Sequence, residues 1–271
     1  ILNIEEDHLD FFKDLADIRH SFKLFAERVP AQGAIVINGD IENYQGIIEA
    51  AKGKVITFGH SRGNDYSAGD IQYDDYAHPS FDLYIGGEKK ERLTLGVAGE
   101  HNVYNAMAAA AVGLQLGLTI AEIKSGIEKA ETIAGRTNFI KTHGMTVIDD
   151  CYNANPVSMK SSIEVLSHAK GRTIAVLGDM GELGSDEKKL HHEVGEAVGE
   201  NHIHTLFAAG ELAKEYAAGA AEKSSDVDIH YFEDRETMTQ ELLSYVKEGD
   251  TILVKASHFM EFPKVVEALN K

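Results

Sequence analysis

Hydrophobic and polar residues follow a regular order over the second half of the chain. Short apolar runs rich in β-branched residues are separated by longer segments that have the apolar spacing of amphipathic helices. The pattern predicts strands at 146–148, 173–177, 205–208, 229–232 and 251–254, and helices at about 156–169, 186–199, 211–222, 235–247 and 263–269. Strands that alternate with helices indicate a mostly parallel, doubly wound sheet with right-handed crossovers.

The first half of the chain has a less regular pattern. It predicts an amphipathic helix that ends before Pro30, a buried strand at 33–39, antiparallel strands within 71–97, and helices at 106–116 and 120–130. The pair Gly86-Gly87 indicates a hairpin turn between two of the antiparallel strands. Because the pattern changes near Gly135, we predict two domains, over residues 1–134 and 135–271.

The most polar stretch lies at the end of the first strand of the second domain. Asp149 and Asp150 are followed by Asn153 and Asn155, and Pro156 suits the first turn of the next helix. In an open α/β sheet such a loop lies at the carboxyl end of a strand, where ligands bind. Asp and Asn are also ordinary turn and cap residues, but their density here favours a site.

Composition restricts the classes of binding partner and the cellular compartment that we expect. The 271 residues include 44 acidic and 26 basic side chains, and the resulting formal charge of -18 disfavours nucleic acid and anionic membranes. A single cysteine, Cys151, excludes an internal disulfide and is compatible with a reducing cytoplasm. No apolar run approaches the roughly 20 residues that span a bilayer. We therefore expect a cytoplasmic monomer that does not insert into membranes.

Three short motifs suggest other chemistry but lack the required context. Gly59-His60-Ser61-Arg62-Gly63 matches the nucleophile elbow of hydrolases, yet no helix is predicted after it. Gly53-Lys54 precedes a strand rather than a helix, which argues against a phosphate-binding loop. His191-His192-Glu193 has no histidine four residues further on, so a solvated helix face is a better interpretation than a zinc site.

Two further groups of residues offer ligand chemistry. Four carboxylates between Glu5 and Asp10 surround His8, a set that suits a hard cation, although most such clusters are solvated loops. Asn102 and Asn105 lie three residues apart at a predicted helix start and therefore share one face. Their amides suit the edge of a purine, but the residues alone favour helix capping.

In this order the motifs resemble those of the Mur ligases, ATP-dependent enzymes that form amide bonds in peptidoglycan precursor synthesis. From about residue 100 onward the chain is similar to the D-alanyl-D-alanine-adding type, on the evidence of Arg136, Asp149–Pro156, Leu177–Gly184 and Val254–Ser257. Residues 1 to about 98 resemble the central domain of the L-alanine-adding type, through Asn3–Asp10, Phe25-Ala26, Asn38–Asp40 and Pro79–Asp82. The mixture predicts a hybrid chain or a fragment of one.

The resemblance implies an α/β fold, with a truncated Mur ligase central domain followed by a doubly wound, Rossmann-like C-terminal domain. It also implies that the family's phosphate loop, a metal-binding glutamate and a UDP-binding domain would precede Ile1. On this expectation the chain alone has no measurable ligase turnover. The alternative is a non-catalytic nucleotide-binding or structural protein.

Roles for single residues also follow from the resemblance. The implied magnesium ligands are His8 and a carbamylated Lys23, and the implied adenine wall is formed by His101, Asn102 and Asn105. Arg136 and Asp150 would approach the ATP phosphates and ribose, and together with Lys23 they are the predicted catalytic residues. The incoming substrate would be bound by Asn153, Asn155, Lys255, Ser257 and His258. ATP and Mg²⁺ are the implied cofactors, and an amino acid or D-alanyl-D-alanine would be joined to a UDP-muramoyl precursor through an acyl phosphate.

Overall fold

The computed structural model describes every residue from Ile1 to Lys271 and divides the chain into two compact units. Unit 1 comprises Ile1–Asp74 and His78–Glu131, and unit 2 comprises Thr132–Lys271 together with Asp75–Ala77. The main division lies slightly ahead of the predicted one between residues 134 and 135. No helix combines the length and the apolar character needed to cross a bilayer.

Unit 1 is built on a five-stranded sheet in which strands adjacent in sequence are adjacent in space. The strands are β1 (Ala34–Asn38), β2 (Lys54–Gly59), β3 (Tyr66–Tyr73), β4 (Pro79–Ile85) and β5 (Glu88–Thr94). The helices are α1 (Leu15–Glu27), α2 (Gln45–Ile48), α3 (His101–Gln115) and α4 (Ile120–Glu128). β1, β2 and β3 pair in parallel, and β4 and β5 continue the sheet in antiparallel pairs.

The core of unit 1 lies between this sheet and α3. Small side chains on α3 allow close packing on Phe58, Phe81, Leu83 and Leu93, all of which are completely buried. The predicted hairpin is confirmed, with Gly86 and Gly87 both at positive φ between β4 and β5. β3 begins at Tyr66, ahead of the predicted strands within 71–97. Its first three residues are all buried and so do not alternate between buried and exposed positions.

The first residues of the chain lie beside β1 without forming an assigned strand. The Ile1 amino group donates to the Val36 carbonyl at 2.7 Å, and the Asn38 N–H donates to the Ile1 carbonyl at 3.0 Å. Ile1 thus bonds to Val36 and Asn38, the residues on either side of Ile37, which is the hydrogen-bond pattern of a parallel pair of strands. Ile1 is therefore in an extended conformation alongside β1.

Unit 2 contains a six-stranded sheet with the order β10-β9-β8-β11-β7-β6. The strands are β6 (Asn138–Thr142), β7 (Met145–Asp149), β8 (Thr173–Gly178), β9 (Thr205–Ala209), β10 (Asp228–Phe232) and β11 (Thr251–Lys255). The helices are α5 (Pro156–Ser167), α6 (Glu187–Glu200), α7 (Ala213–Lys223), α8 (Arg235–Tyr245) and α9 (Pro263–Leu269). Only β6 runs antiparallel to its neighbour, so the predicted parallel α/β sheet is confirmed.

Strand order in unit 2 determines which loops meet. The last strand, β11, lies between β7 and β8, and the carboxyl ends of all three strands form one edge of the sheet. The segments that begin at Asp150, Asp179 and Ala256 therefore lie next to one another. In open α/β sheets this edge, where the strand order reverses, is the usual place for a ligand.

Candidate functional site

Unit 1 gathers polar groups at the carboxyl ends of β1 and β2, with Asp40 at the centre. The Asp40 carboxylate accepts hydrogen bonds from the backbone N–H groups of His60 and Ser61 and from the Asn64 amide. Partial burial raises the pKa of Asp40, but hydrogen bonds from Ser61, His60 and Asn64 outweigh burial and leave the pKa below its ordinary value. Asp40 thereby fixes the loop that follows β2 to the end of β1.

Tyr104 on α3 completes this cluster. Its ring lies parallel to the His60 ring, with centroids 4.5 Å apart, and its hydroxyl donates to Asp40 at 3.4 Å. Burial, together with the nearby carboxylates of Asp40 and Glu100, raises the pKa of Tyr104 to about 12. From the sequence, Asp40 was named only as part of the motif Asn38–Asp40 and without a role, and Tyr104 was given no role. The sequence pattern pointed to the loop only through the nucleophile-elbow motif, and β3 rather than a helix follows that motif, as predicted.

Asn102 and Asn105 lie in the first turns of α3. The amide of Asn102 is hydrogen-bonded at both its nitrogen and its oxygen, whereas that of Asn105 donates a single hydrogen bond. Asn102 Nδ2 donates to the Ala98 carbonyl at 2.7 Å and lies 3.1 Å from His101 Nε2, and Asn102 Oδ1 accepts from Asn105 Nδ2 at 2.9 Å. Neither amide caps a backbone N–H of the helix, so the capping interpretation is wrong. Asn105 is exposed and retains its carbonyl oxygen and one N–H, a donor–acceptor pair that complements an adenine edge.

The acidic segment near the start of the chain lines a cavity of about 440 Å³ within unit 1. Asp7 and His8 contribute polar groups, and Phe12, Phe22 and Phe25 contribute apolar walls. The His8 backbone is left-handed, with φ of 52°, and its N–H donates to Asp7 Oδ1 at 2.9 Å. A carboxylate and an imidazole side by side fit the requirements of a divalent cation.

Lys23 has a different environment from the one that a metal ligand needs. Its ammonium group on α1 lies 3.0 Å from the Glu49 carboxylate and forms an ion pair with it. A protonated lysine repels a metal ion, so Lys23 in this form does not fit a magnesium site. Its predicted role as a metal ligand requires carbamylation, which would replace the ammonium with two oxygens.

In unit 2 the two adjacent carboxylates clamp the backbone on both sides of Arg136. Asp149 accepts from the Gly135 N–H at 3.0 Å, and Asp150 accepts from the Thr137 N–H at 2.9 Å. The Tyr152 N–H donates a hydrogen bond to the Gly135 carbonyl at 2.9 Å. Three hydrogen bonds thereby join the loop around Arg136 to the last residue of β7 and the segment that follows it.

The Arg136 side chain projects from this clamp and is exposed. Its guanidinium carbon lies 4.0 Å from the centre of the Tyr152 ring, within the range of a cation–π contact. Stacking of this kind leaves the edge N–H groups of a guanidinium free to bind a phosphate or a carboxylate. Arg136 is thus a cation held in a defined place near the carboxyl end of β7.

Asp150 is also the centre of a buried ion pair. Its second oxygen lies 2.7 Å from Lys255 Nζ and accepts a hydrogen bond from Ser162 at 2.5 Å. Lys255 additionally donates to the Asn153 carbonyl at 3.0 Å, and only 3% of its side chain is exposed. The charged groups of Asp150 and Lys255 are therefore satisfied within unit 2, an arrangement that suits positioning rather than direct contact with a ligand.

Some of the remaining predicted substrate-binding residues form hydrogen bonds within the protein, and the others are exposed to solvent. Ser257 is buried; it accepts from the Gly181 N–H at 2.8 Å and donates to the Ala154 carbonyl at 3.3 Å. The Asn155 side chain caps α5 by accepting from the Ser158 N–H at 2.8 Å. Asn153 and His258 are exposed at the same edge. Of the five, these two have side chains directed to solvent.

His191 supports the loop after β8 and is completely buried, so the predicted solvated helix face is wrong at this residue. His191 Nε2 accepts from the Met180 N–H at 2.9 Å, and its Nδ1 lies 2.7 Å from the Glu187 carbonyl. Burial lowers the pKa of His191, which is consistent with a neutral ring that accepts at one nitrogen and donates at the other. Next to Met180, the buried Asp179 carboxylate faces the start of α7, and burial raises its pKa.

Comparison with known proteins gives the same family for both units. Residues 1–113 match the Mur ligase middle domain, and residues 135–258 match the domain described as Mur ligase, glutamate ligase domain. A UDP-N-acetylmuramate–L-alanine ligase of Lachnospira eligens is 44% identical over 170 residues, which cover 62% of this chain and 37% of the relative. A UDP-N-acetylmuramoyl-tripeptide–D-alanyl-D-alanine ligase of Mycobacterium tuberculosis is 29% identical over 99% of this chain and 57% of the relative.

Solved structures show the same similarity across both units. MurF from Acinetobacter baumannii superposes with a TM-score of 0.89 at 30% identity, over 99% of this chain and 58% of that chain. MurF from Thermotoga maritima in complex with ADP gives a TM-score of 0.84 at 24% identity, over 99% of this chain and 60% of that one, and shows the shared fold. The chain thus spans between about one third and three fifths of the length of these proteins.

Proposed function

Because the chain belongs to the Mur ligase family and carries its middle and C-terminal domains, we propose that it holds the adenine-binding and acceptor-side residues of an ATP-dependent peptidoglycan precursor ligase. Its relatives by sequence include both L-alanine and D-alanyl-D-alanine ligases. The proposed reaction joins one of these amines to the carboxylate of a UDP-muramoyl precursor. ATP would supply the phosphoryl group that activates this carboxylate.

The observation that carries the proposal is the clamp around Arg136. Asp149 and Asp150 fix the backbone on either side of this residue, and Tyr152 fixes its guanidinium. A cation that is already in place stabilises developing negative charge without the cost of reorganisation during the reaction. We assign to Arg136 the contact with transferred phosphate, and to Asp149 and Asp150 the positioning of Arg136.

Unit 1 supports the nucleotide part of the proposal. Asn105 presents a donor and an acceptor at the start of α3, and its hydrogen bond to Asn102 fixes the orientation of the amide. We propose that Asn105 reads the adenine edge, that Asn102 positions it, and that the exposed His101 packs on the base. Asp7 and His8 are the proposed magnesium ligands, and Lys23 joins them only when carbamylated.

The acceptor side of the proposal rests on the exposed residues at the edge of unit 2. Asn153 offers an amide and His258 an imidazole beside Arg136's loop and the end of β11, and both can hydrogen-bond an amino acid or a dipeptide. Lys255, Ser257 and Asn155 would act through the backbone that they hold. The identity of the amine then depends on Asn153, His258 and their neighbours.

We further propose that the 271-residue chain alone has no ligase turnover. The pattern Gly-x-x-x-x-Gly-Lys-Ser/Thr, which cradles the phosphates of a nucleotide, does not occur among these residues. Release of phosphate from ATP should be measured with a UDP-muramoyl tripeptide and D-alanyl-D-alanine, and with UDP-N-acetylmuramate and L-alanine. We expect no release above background in either case. Release that requires the amine would contradict this proposal and would support a complete catalytic site.

The assignment of Arg136 can be tested apart from turnover. Binding of inorganic pyrophosphate to the chain should weaken in Arg136→Gln, which removes the charge and leaves a shorter, polar side chain. Arg235→Gln is the matched control, because Arg235 is a partly buried arginine that pairs with Glu236 and Glu261 in the same unit. Equal pyrophosphate affinity in the two variants would remove Arg136 from the proposed site.

A further inference from the structure

Helices α6 and α7 of unit 2 bring together three side chains that can bind a metal ion. His192 and Glu196 lie four residues apart on α6 and therefore on one face of the helix, and Glu222 lies on the last turn of α7. One donor atom from each side chain lies within 4.8 Å of the others. His192 Nε2 is already 3.1 Å from the Glu222 carboxylate.

Contact between the two helix backbones fixes this arrangement. A Cβ atom at Gly219 would lie 2.1 Å from the His192 carbonyl oxygen, and one at Gly195 would lie 2.2 Å from the Tyr216 carbonyl oxygen. Glycine at these positions lets the helices approach until their backbones touch. The main chain that carries the three donors is therefore held close before any ion binds.

We propose that His192, Glu196 and Glu222 form a zinc site that links α6 to α7. Zinc is bound by imidazole nitrogens and carboxylate oxygens, and a site with three protein ligands leaves one position for water. The imidazole favours zinc over magnesium, which prefers oxygen ligands throughout. The zinc motif His-Glu-x-x-His has a second histidine four residues after the first, whereas Glu196 occupies that position after His192.

Lys223 competes with the metal for one of these ligands. Its Nζ lies 3.0 Å from a Glu196 oxygen and 3.4 Å from a Glu200 oxygen. When zinc takes Glu196, the ammonium keeps Glu200 as a partner, so the ion pair moves and is not lost. Replacing Lys223 with a neutral residue should therefore strengthen zinc binding.

Calorimetric titration of the full chain with Zn²⁺ alone at neutral pH tests the site. We expect a Zn²⁺ binding step that His192→Ala, Glu196→Gln and Glu222→Gln each weaken by at least about tenfold, since loss of even an outer-shell partner of a metal commonly costs that much. Binding at Asp7 and His8 should be the same in all three variants. Lys223→Met should tighten the step that these variants weaken. His78→Ala is the matched control, because His78 pairs with one carboxylate, Asp74, at 3.0 Å and should leave affinity unchanged.

Two outcomes would overturn the proposal. If the three ligand variants bind Zn²⁺ as tightly as the unchanged chain, then His192 and Glu222 form only an ion pair between helices. If Lys223→Met tightens binding while His192→Ala has no effect, the acidic surface attracts the ion without a defined site. Co²⁺ in place of Zn²⁺ gives a second readout, because its visible absorption becomes stronger when it leaves six-coordinate hydration for a four-coordinate site. This gain in absorption should be reduced in His192→Ala. Circular dichroism of each variant confirms that it is folded.

Discussion

Removal of the lysine from the buried ion pair in unit 2 should destabilise that unit strongly. Lys255 and Asp150 are 3% and 11% exposed in their side chains, and the Nζ–Oδ2 distance is 2.7 Å. Lys255→Met keeps most of the apolar length of the side chain but leaves the Asp150 carboxylate buried without its cation. Loss of one partner from a buried pair typically costs about 3–5 kcal/mol, so we expect a loss of this size in the free energy of unfolding of unit 2.

Hydrogen exchange of the backbone amides of β7, β8 and β11 is the suitable assay, because it reports the stability of unit 2 separately from that of unit 1. A second change separates charge from packing. In Asp150→Asn combined with Lys255→Met, no unpaired charge remains and the side-chain oxygen still accepts from Thr137, so the double variant should be more stable than Lys255→Met. Lys264→Met is the control, since Lys264 and Glu261 are 55% and 58% exposed and such pairs contribute about 0–1 kcal/mol.

The reasoning is refuted if Lys255→Met costs no more than Lys264→Met, because the pair would then be neither desolvated nor required. A double variant that is no more stable than Lys255→Met would show that the loss comes from packing of the lysine side chain rather than from an unpaired carboxylate.

Three other expectations follow from single contacts. Ser162→Ala removes the hydroxyl that donates to Asp150 and should cost about 1–3 kcal/mol of unit 2 stability, measured by the same hydrogen exchange; no loss would mean that water replaces the hydroxyl. Asp40→Asn should destabilise unit 1 at neutral pH. Because the folded pKa of Asp40 is lowered, the unchanged chain should exceed Asp40→Asn in free energy of unfolding by a constant amount above pH 3.8, and this difference should disappear as the pH falls through the folded pKa. Urea unfolding at several pH values measures it. A difference that persists below the folded pKa would contradict the assignment. Gly219→Ala would place Cβ 2.1 Å from a backbone oxygen and should lower the melting temperature of unit 2. As the control, Gly126→Ala in α4 has open space and should stabilise unit 1 by about 0.5–1 kcal/mol. Similar effects at both positions would contradict the close packing of α6 on α7.

The inner strands of unit 2 could be predicted from the sequence because β7, β8, β9 and β11 are buried along almost their whole length. Such strands appear as continuous apolar runs, and the helices between them have clear apolar spacing. The position of β11 between β7 and β8 could not be predicted, since periodicity describes each element but not its neighbours. In unit 1, β3 was missed at its start because Tyr66, Ser67 and Ala68 are all buried and do not alternate.

The candidate site was predicted in part for a similar reason. The density of Asp and Asn after β7 correctly marked a structured polar segment at the carboxyl end of a strand. Its internal arrangement could not be inferred, because Lys255 and Asp150 are 105 residues apart in sequence and become neighbours only through strand order. The same holds for Asp40 and Tyr104, which come from different elements of unit 1.

The most direct test of the proposed function is a titration of the chain with ADP, followed by the side-chain amide signals of Asn102 and Asn105 in nuclear magnetic resonance. We predict that the Asn105 signals shift on saturation, and that Asn105→Ala weakens ADP binding by an amount equal to the loss of a good bidentate contact to a base, about 1–3 kcal/mol. Guanosine diphosphate should bind more weakly than ADP. If ADP leaves the Asn105 signals unchanged, or if Asn105→Ala binds ADP as the unchanged chain does, α3 is not the adenine site and the proposed function fails in unit 1.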